Sequence, residues 1–379
     1  MPRMLLRHRR HGRVSIVIIF LAVLGLAAAC APPLGQPALR QVPNPQKVWD
    51  NSDPGVLVYA GQTYLFGSTN NRRVPVRLVT DYAAGVDVTK AQWTGSPVDA
   101  MPEVPAWVDP TESHIWAPSV ARIGTRFVMY FAGKNKAATT DEVNDQCIGR
   151  SFAAAPMGPY TPEANPIYCG YPKEGPAPGL PSSNSFGRGA LDPEVFRAPD
   201  GKLYLLMALS RTKDNIGVVP LRSDGTVVGG RNATPTILAS QSLPWHDGKD
   251  DAVRSGGFLE NPSMIYEPHT KTYLLFYSAG AWNTTYYNTG FARCSSPMGE
   301  CKLDTRGPFL KSGNGRSGPG GLTAYVSATG QYRVAYASWE EGHEAPVFNP
   351  FGMYSRQTHW AVLKVTVTSD PSKQVVKLA

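Results

Sequence analysis

Three acidic residues stand at or beside prolines at widely separated points of the chain, in Asp53-Pro54, Asp192-Pro193 and Glu260-Asn261-Pro262. Two carboxyl groups facing one bond can perform general acid–base chemistry. One, protonated, donates to a leaving oxygen, and the other, ionised, activates a water or attacks carbon. A third carboxylate nearby disfavours ionisation of the acid and raises its pKa towards neutrality. The same cluster resembles a site for a hard cation. However, Ca²⁺ loops draw their ligands from closely spaced positions, and no D-x-D-x-D run occurs. A single Asp-Pro is usually a turn or a cap. Three mutually repelling charges at matching points of a repeat are not something that packing requires.

The repeat is what must position them. Each acid opens a cassette of one short apolar strand, a polar turn and a second strand, as in 191–197 followed by Asp200-Gly201 and Leu203-Tyr204-Leu205-Leu206-Met207. Asp-Gly between two such runs is a strong hairpin signal. Further copies begin at Ala117-Pro118 and, in weaker form, at Gly318-Pro319-Gly320. The repeat prolines are therefore Pro54, Pro118, Pro193, Pro262 and Pro319, roughly 57–75 residues apart. Each interval holds several β-like runs and no sustained 3.6-residue apolar period. Four strands per repeat, closing radially, predict a five-bladed β-propeller over residues 49–379. A two-sheet sandwich would explain the strands but not the returning x-Pro step. Because proline biases the preceding residue towards extended backbone, Asp53 and Asp192 are expected in extended conformation at strand starts. The segment 354–365 is expected as a last strand, pairing in the first or last blade. The loops 170–189 and 232–257, the second with Trp245 and His246, lead into Asp192 and Glu260 and are expected to feed the rim of a cleft.

Residues 1–29 carry Arg3, Arg7, Arg9, Arg10 and Arg13 ahead of an apolar run too short to span a bilayer, which reads as a signal peptide. Ala27-Ala28-Ala29 before Cys30 resembles a lipobox, so Cys30 is the expected lipidation site and the lipid the expected means of membrane attachment. Residues 31–48, rich in Pro, Gln and Ala, suit a flexible tether. The chain has 37 basic and 29 acidic residues; without the leader arginines the balance is 32 to 29, about +3. That near-neutral surface argues against a nucleic-acid partner. Export also suits the four remaining cysteines, Cys147, Cys169, Cys294 and Cys301. They allow three disulfide pairings, of which neighbour with neighbour is the simplest. A thiolate metal site is disfavoured by the lack of any C-x-x-C pair.

Ser52-Asp53-Pro54, Ile115-Trp116-Ala117-Pro118, Leu191-Asp192-Pro193-Glu194-Val195-Phe196, Leu259-Glu260-Asn261-Pro262-Ser263 and Phe276-Tyr277-Ser278-Ala279-Gly280, in that order, resemble glycoside hydrolase family 43. The resemblance runs over nearly all of the chain after the leader. It implies a five-bladed propeller and inverting hydrolysis, mostly of α-L-arabinofuranosides and β-D-xylosides, with no cofactor required. By position Asp53 would be the general base and Glu260 the general acid. Asp192 would tune and orient the acid, and Trp116 would be a sugar-stacking wall. Many members carry a His after Gly-Pro-Gly in the fifth blade, associated with a central metal. Here Gly321 follows Gly318-Pro319-Gly320, which argues against a central Ca²⁺.

Other patterns lead nowhere. The G-x-G-x-x-G match at 313–318 is followed by Pro319-Gly320-Gly321 rather than a helix pattern. The run 340–344 reads as a polar loop. The chain has no G-x-S-x-G elbow and no H-E-x-x-H pair. The sequence thus points to an exported, monomeric, lipid-anchored or secreted glycosidase acting on a polysaccharide or oligosaccharide. A propeller that binds carbohydrate without turning it over is the alternative.

Overall fold

The computed structural model describes residues 52–68, 74–80, 92–112, 114–137, 146–170, 189–210, 215–231, 233–247, 258–340, 356–366 and 375–379. The expected signal peptide and tether (1–48, with Cys30) lie outside these, as do 171–188 and 248–257 of the expected rim loops. The described residues form twenty strands in five four-stranded antiparallel blades, of which blades 2 and 3 are joined into one eight-stranded sheet by a parallel pair, Gln146 with Gly189. Blade 1 contains β1 (Ser52–Tyr59), β2 (Gln62–Ser68), β3 (Pro75–Thr80) and β4 (Gln92–Asp99). Blade 2 contains β5 (Ile115–Ile123), β6 (Arg126–Lys134), β7 (Gln146–Ala153) and the short β8 (Thr161–Pro162). Blade 3 contains β9 (Gly189–Arg197), β10 (Leu203–Ser210), β11 (Asn215–Leu221) and β12 (Thr236–Ser240). Blade 4 contains β13 (Leu259–Glu267), β14 (Thr272–Ala279), β15 (Asn288–Ser296) and β16 (Gly299–Leu303). Blade 5 contains β17 (Arg316–Val326), β18 (Tyr332–Glu340), β19 (Gln357–Thr366) and β20 (Val375–Leu378).

The second strand of each blade is covered on both faces, which is why it reads as a nearly unbroken apolar run. In β6, Met129 and Phe131 pack with blade 1, while Val128 and Tyr130 pack with blade 3. In β14, Leu275 and Tyr277 face blade 3, while Leu274 and Phe276 face blade 5. Period-2 alternation thus assigns successive side chains to successive gaps. The five apolar clusters fill the five gaps. The last of them, where Tyr325, Ala335 and Trp360 meet Leu65 and Val79, joins blade 5 to blade 1. The tail strand β19 pairs with β18 inside blade 5, and β20 completes that blade's outer edge. Ring closure therefore rests on side-chain packing rather than on a strand lent from one end to the other.

Polar contacts from one blade to the innermost strand of the next reinforce this packing. Ser68 Oγ accepts from Ala117 N (2.8 Å), Ser119 Oγ from Val195 N (3.1 Å), and Ser263 Oγ from Ala324 N (2.9 Å). Between blades 3 and 4 the acceptor is Glu194, whose Oε1 takes the N–H of Met264 (2.9 Å). Blades 1 and 2 approach so closely that a Cβ on Gly55 would lie 1.9 Å from the Pro118 carbonyl oxygen. Two disulfides, Cys147–Cys169 and Cys294–Cys301, are formed. The first fastens the end of β7 to the connection towards β9, and the second staples the β15–β16 pair.

The expectation of extended backbone before proline does not hold. Asp53, Ala117, Asp192 and Asn261 have φ of 49°, 46°, 48° and 47°, and Gly318 has 57°. Each lies in a β-bulge. Between Glu260 and Ser263 the chain advances three residues, while its partner strand advances two, from Ser278 to Phe276. The same happens opposite β2, β6, β10 and β18. A bulge whose first residue is left-handed turns that side chain away from the regular alternation, and this constraint overrides the preference set by proline.

Two consequences can be measured. Gly55→Ala should cost about 2–4 kcal/mol in denaturant unfolding, since backbone rather than a flexible side chain must yield; a loss below about 0.5 kcal/mol would contradict the close approach. Burial pushes the Glu194 carboxyl from its ordinary 4.5 up to about 8. The folded chain therefore holds a proton that the unfolded chain releases, and stability falls as pH rises from about 4.5 to 8. Glu194→Gln keeps an acceptor for Met264 N–H without the charge. It should raise the melting temperature at pH 8 by about 2–4 °C and leave it nearly unchanged at pH 4.5, read by calorimetry across that range.

Candidate active site

The bulges decide which side chains look at the axis. Asp53, Ala117, Asp192 and Asn261 occupy equivalent positions, and all four line a central cavity of about 340 Å³, together with Gly321 of blade 5. Glu260 is not equivalent to the two aspartates. It stands one residue earlier, paired with Ser278, where blade 2 has Trp116 paired with Ala132. The carboxylates therefore converge from two kinds of position, and Glu260 lies outside the lining of the central cavity.

Asn261 links them. Its backbone N–H donates to Asp192 Oδ2 (3.1 Å), and its Nδ2 donates to Asp53 Oδ1 (3.0 Å). Its Oδ1 accepts from the Tyr287 hydroxyl (2.8 Å), which also lies 2.6 Å from Glu260 Oε1. The other oxygen of Asp53 accepts from Ser68 Oγ (2.7 Å). Every atom of this frame is neutral except the carboxylates themselves. Burial first, then the charges of Glu260 and Asp53, raise the Asp192 carboxyl well above the usual range, against the opposing bond from Asn261 N–H. Asp192 therefore holds its proton more firmly than an isolated carboxyl would. Tyr287 is fully buried, and burial raises its hydroxyl well above 10, so it stays a donor. Arg356, itself buried, lies over the Tyr287 ring at 4.8 Å and donates to the carbonyls of Gly318 (3.2 Å) and Ala337 (2.9 Å).

Trp116 is half-buried and stacked on His114 (6.2 Å, 30°), at the same end of its blade as Glu260. Asn261, Ser68, Tyr287 and Arg356 were not among the residues that sequence reasoning singled out. The signal for Asn261 was present: the positions before the repeat prolines read Asp, Ala, Asp, Asn, Gly, and Asn, Asp and Gly are the residues that tolerate positive φ. Tyr287 carried no signal, because its proximity to Glu260 is created by the return of β15 alongside β14.

Gly321 has no side chain to offer a cation, and a Cβ added there would lie 3.3 Å from Asp53 Oδ1. Among the described residues no group of three or more His, Cys, Asp or Glu side chains is arranged to hold a metal ion.

The family model for glycosyl hydrolases family 43 matches residues 42–361. The extracellular endo-α-(1→5)-L-arabinanase of Thermotoga petrophila is 24% identical over 267 residues, covering 65% of this chain and 49% of the relative. The chain thus spans about half the length of that curated relative. In fold, the chain resembles a thermostable family-43 glycoside hydrolase (TM-score 0.64, 19% identity, 89% of this chain and 95% of that one). It also resembles an endo-1,4-β-xylanase from Bacteroides thetaiotaomicron (TM-score 0.63, 17% identity, 88% and 95%). With five blades, a bulged innermost strand in each and a family match over residues 42–361, the chain belongs to glycoside hydrolase family 43.

Proposed function

We propose that this protein hydrolyses furanosyl or xylosyl linkages of an arabinan-, arabinogalactan- or xylan-type polysaccharide, by one displacement with water and inversion at the anomeric carbon. The observation that carries this reading is the convergence of Asp53, Asp192 and Glu260 on Asn261. Asp53, held through both oxygens by neutral donors, is the general base. A carboxylate in that setting accepts only, and it takes a proton from the attacking water. Glu260 is the general acid. Its Oε1 accepts from the Tyr287 hydroxyl (2.6 Å), which leaves Oε2 to carry the proton for the leaving oxygen. Asp192 orients the pair and keeps the set from ionising completely. Trp116 offers an aromatic face for the sugar ring.

The arabinanase and xylanase likenesses support a pentose polymer as substrate. The extracellular relative and the two disulfides support export. We further read residues 1–29 as a signal peptide, Cys30 as the lipid-bearing residue and 31–48 as the tether of a monomeric enzyme.

The test is release of reducing sugar from arabinan, arabinogalactan and xylan, with the anomer of the first-formed product followed by NMR. Release of product with retained configuration, or no release from any of the three, would overturn the reading. Glu260→Gln should lower turnover of polysaccharide by about 10²–10⁴-fold. It should have a smaller effect on aryl glycosides, whose leaving groups need little protonation. Asp53→Asn should impair both substrate types alike. Equal losses from Glu260→Gln on the two types would remove Glu260 from the acid role.

A further inference from the structure

Beside Glu260, on the rim of blade 4, lies a groove of about 430 Å³ walled by Trp245, Tyr286, Asn288 and Lys311. We infer that this groove holds the leaving-group side of the polysaccharide, the neutral pentose residues beyond the bond that is cut. The inference rests on Glu260 being the acid.

Position is the first reason. A general acid protonates the leaving oxygen, so the departing sugars must lie on its side of the site. The central cavity is lined by Asp53 and Asp192 but not by Glu260. The blade 4 groove shares Tyr287 with Glu260: Tyr287 lines the groove, and its hydroxyl lies 2.6 Å from Glu260 Oε1. The second reason is chemistry. Tyr286 is 47% exposed. Trp245 is backed by the buried Tyr277 ring (6.4 Å, 14°), which fixes the indole plane. Sugar rings present C–H faces that pack on aromatic surfaces and hydroxyls that both donate and accept. Among the described residues, Trp245 Nε1 and Asn288 Oδ1, a donor and an acceptor on two lining residues, are buried with no hydrogen-bond partner. Among the described residues no acid lines the groove, while Lys311 supplies N–H donors, so hydroxyl-rich neutral units suit it.

The third reason is that the walls are braced to one another, although they come from separate segments of chain. Asn288 Nδ2 donates to the carbonyls of Tyr286 (2.8 Å) and Trp245 (3.3 Å). Ser312 Oγ donates to the Thr285 carbonyl (2.5 Å) and accepts from Gly318 N (2.9 Å). These bonds lie outside the strand ladders and hold the groove in shape before a ligand arrives, which lowers the ordering cost of binding.

The experiment uses the Glu260→Gln protein as host and two probes, α-1,5-linked L-arabinopentaose and β-1,4-linked xylopentaose, titrated calorimetrically. Adding Tyr286→Ala should weaken binding of the better probe about tenfold, with the melting temperature unchanged because Tyr286 is exposed. Trp245→Ala should weaken it at least as much, though its packing on Tyr277 makes Tyr286 the deciding variant. In the active protein, Tyr286→Ala should lower the ratio of kcat/KM on the pentaose to kcat/KM on the matching 4-nitrophenyl glycoside by about tenfold. Binding within twofold of the host after Tyr286→Ala, or an unchanged ratio, overturns the inference, as does failure of both probes to bind. If the active protein cleaves nothing while Tyr286→Ala still weakens binding, the groove stands and the catalytic reading falls.

Discussion

A left-handed residue placed before a proline, repeated once per blade, is the constraint from which the site follows. The bulge adds a residue to the innermost strand and turns its first side chain off the two-faced alternation of a regular strand. In four blades that residue lines the central cavity: Asp53, Ala117, Asp192 and Asn261. Left-handed backbone costs a non-glycine residue about 1–2 kcal/mol. Asp and Asn tolerate it, and Ala117 is held in place by the bond from its N–H to Ser68 Oγ. The chain accepts this strain in four blades, Gly318 carrying none in the fifth, and the strain sits where the chemistry is.

The site is also electrostatically unfavourable by design of its contents. Asp53, Asp192 and Glu260 gather in a frame whose braces, Asn261, Ser68 and Tyr287, are all neutral. Arg356 lies over the Tyr287 ring and donates to the carbonyls of Gly318 and Ala337. A cation placed directly beside Asp192 would stabilise its ionised form. Instead burial and mutual repulsion raise Asp192 well above the usual carboxylate range. The opposing stabilisation comes from the five apolar clusters between blades and from the serine and Glu194 bonds that lock neighbouring innermost strands.

Two residues of the repeat gain a physical meaning from this frame. Ser119 accepts the backbone N–H of Val195 and so serves the join between blades 2 and 3. Asn261 is the residue through which Asp53, Asp192 and Tyr287 are held together. Gly320 serves the same end by its lack of a side chain, since a Cβ there would lie 2.1 Å from the Tyr287 ring.

The sequence alone determined the five-fold repeat, because turn residues and apolar runs are local signals that recur with each blade. It also determined that Asp53 and Asp192 occupy equivalent points, and that two neighbouring cysteine pairs fall within short stretches of chain. It misjudged the backbone before the prolines: the local preference of an x-Pro step is extended, and only the pairing of that strand with its neighbour imposes the bulge. It could not show that Glu260 stands one position off the aspartates and still reaches them. Nor could it find Tyr287 and Arg356, whose place beside the acids comes from the return of β15 in blade 4 and the start of β19 in blade 5. Those relations depend on which residues a closed ring brings face to face, and that is set by packing between blades rather than by the order of residues within one.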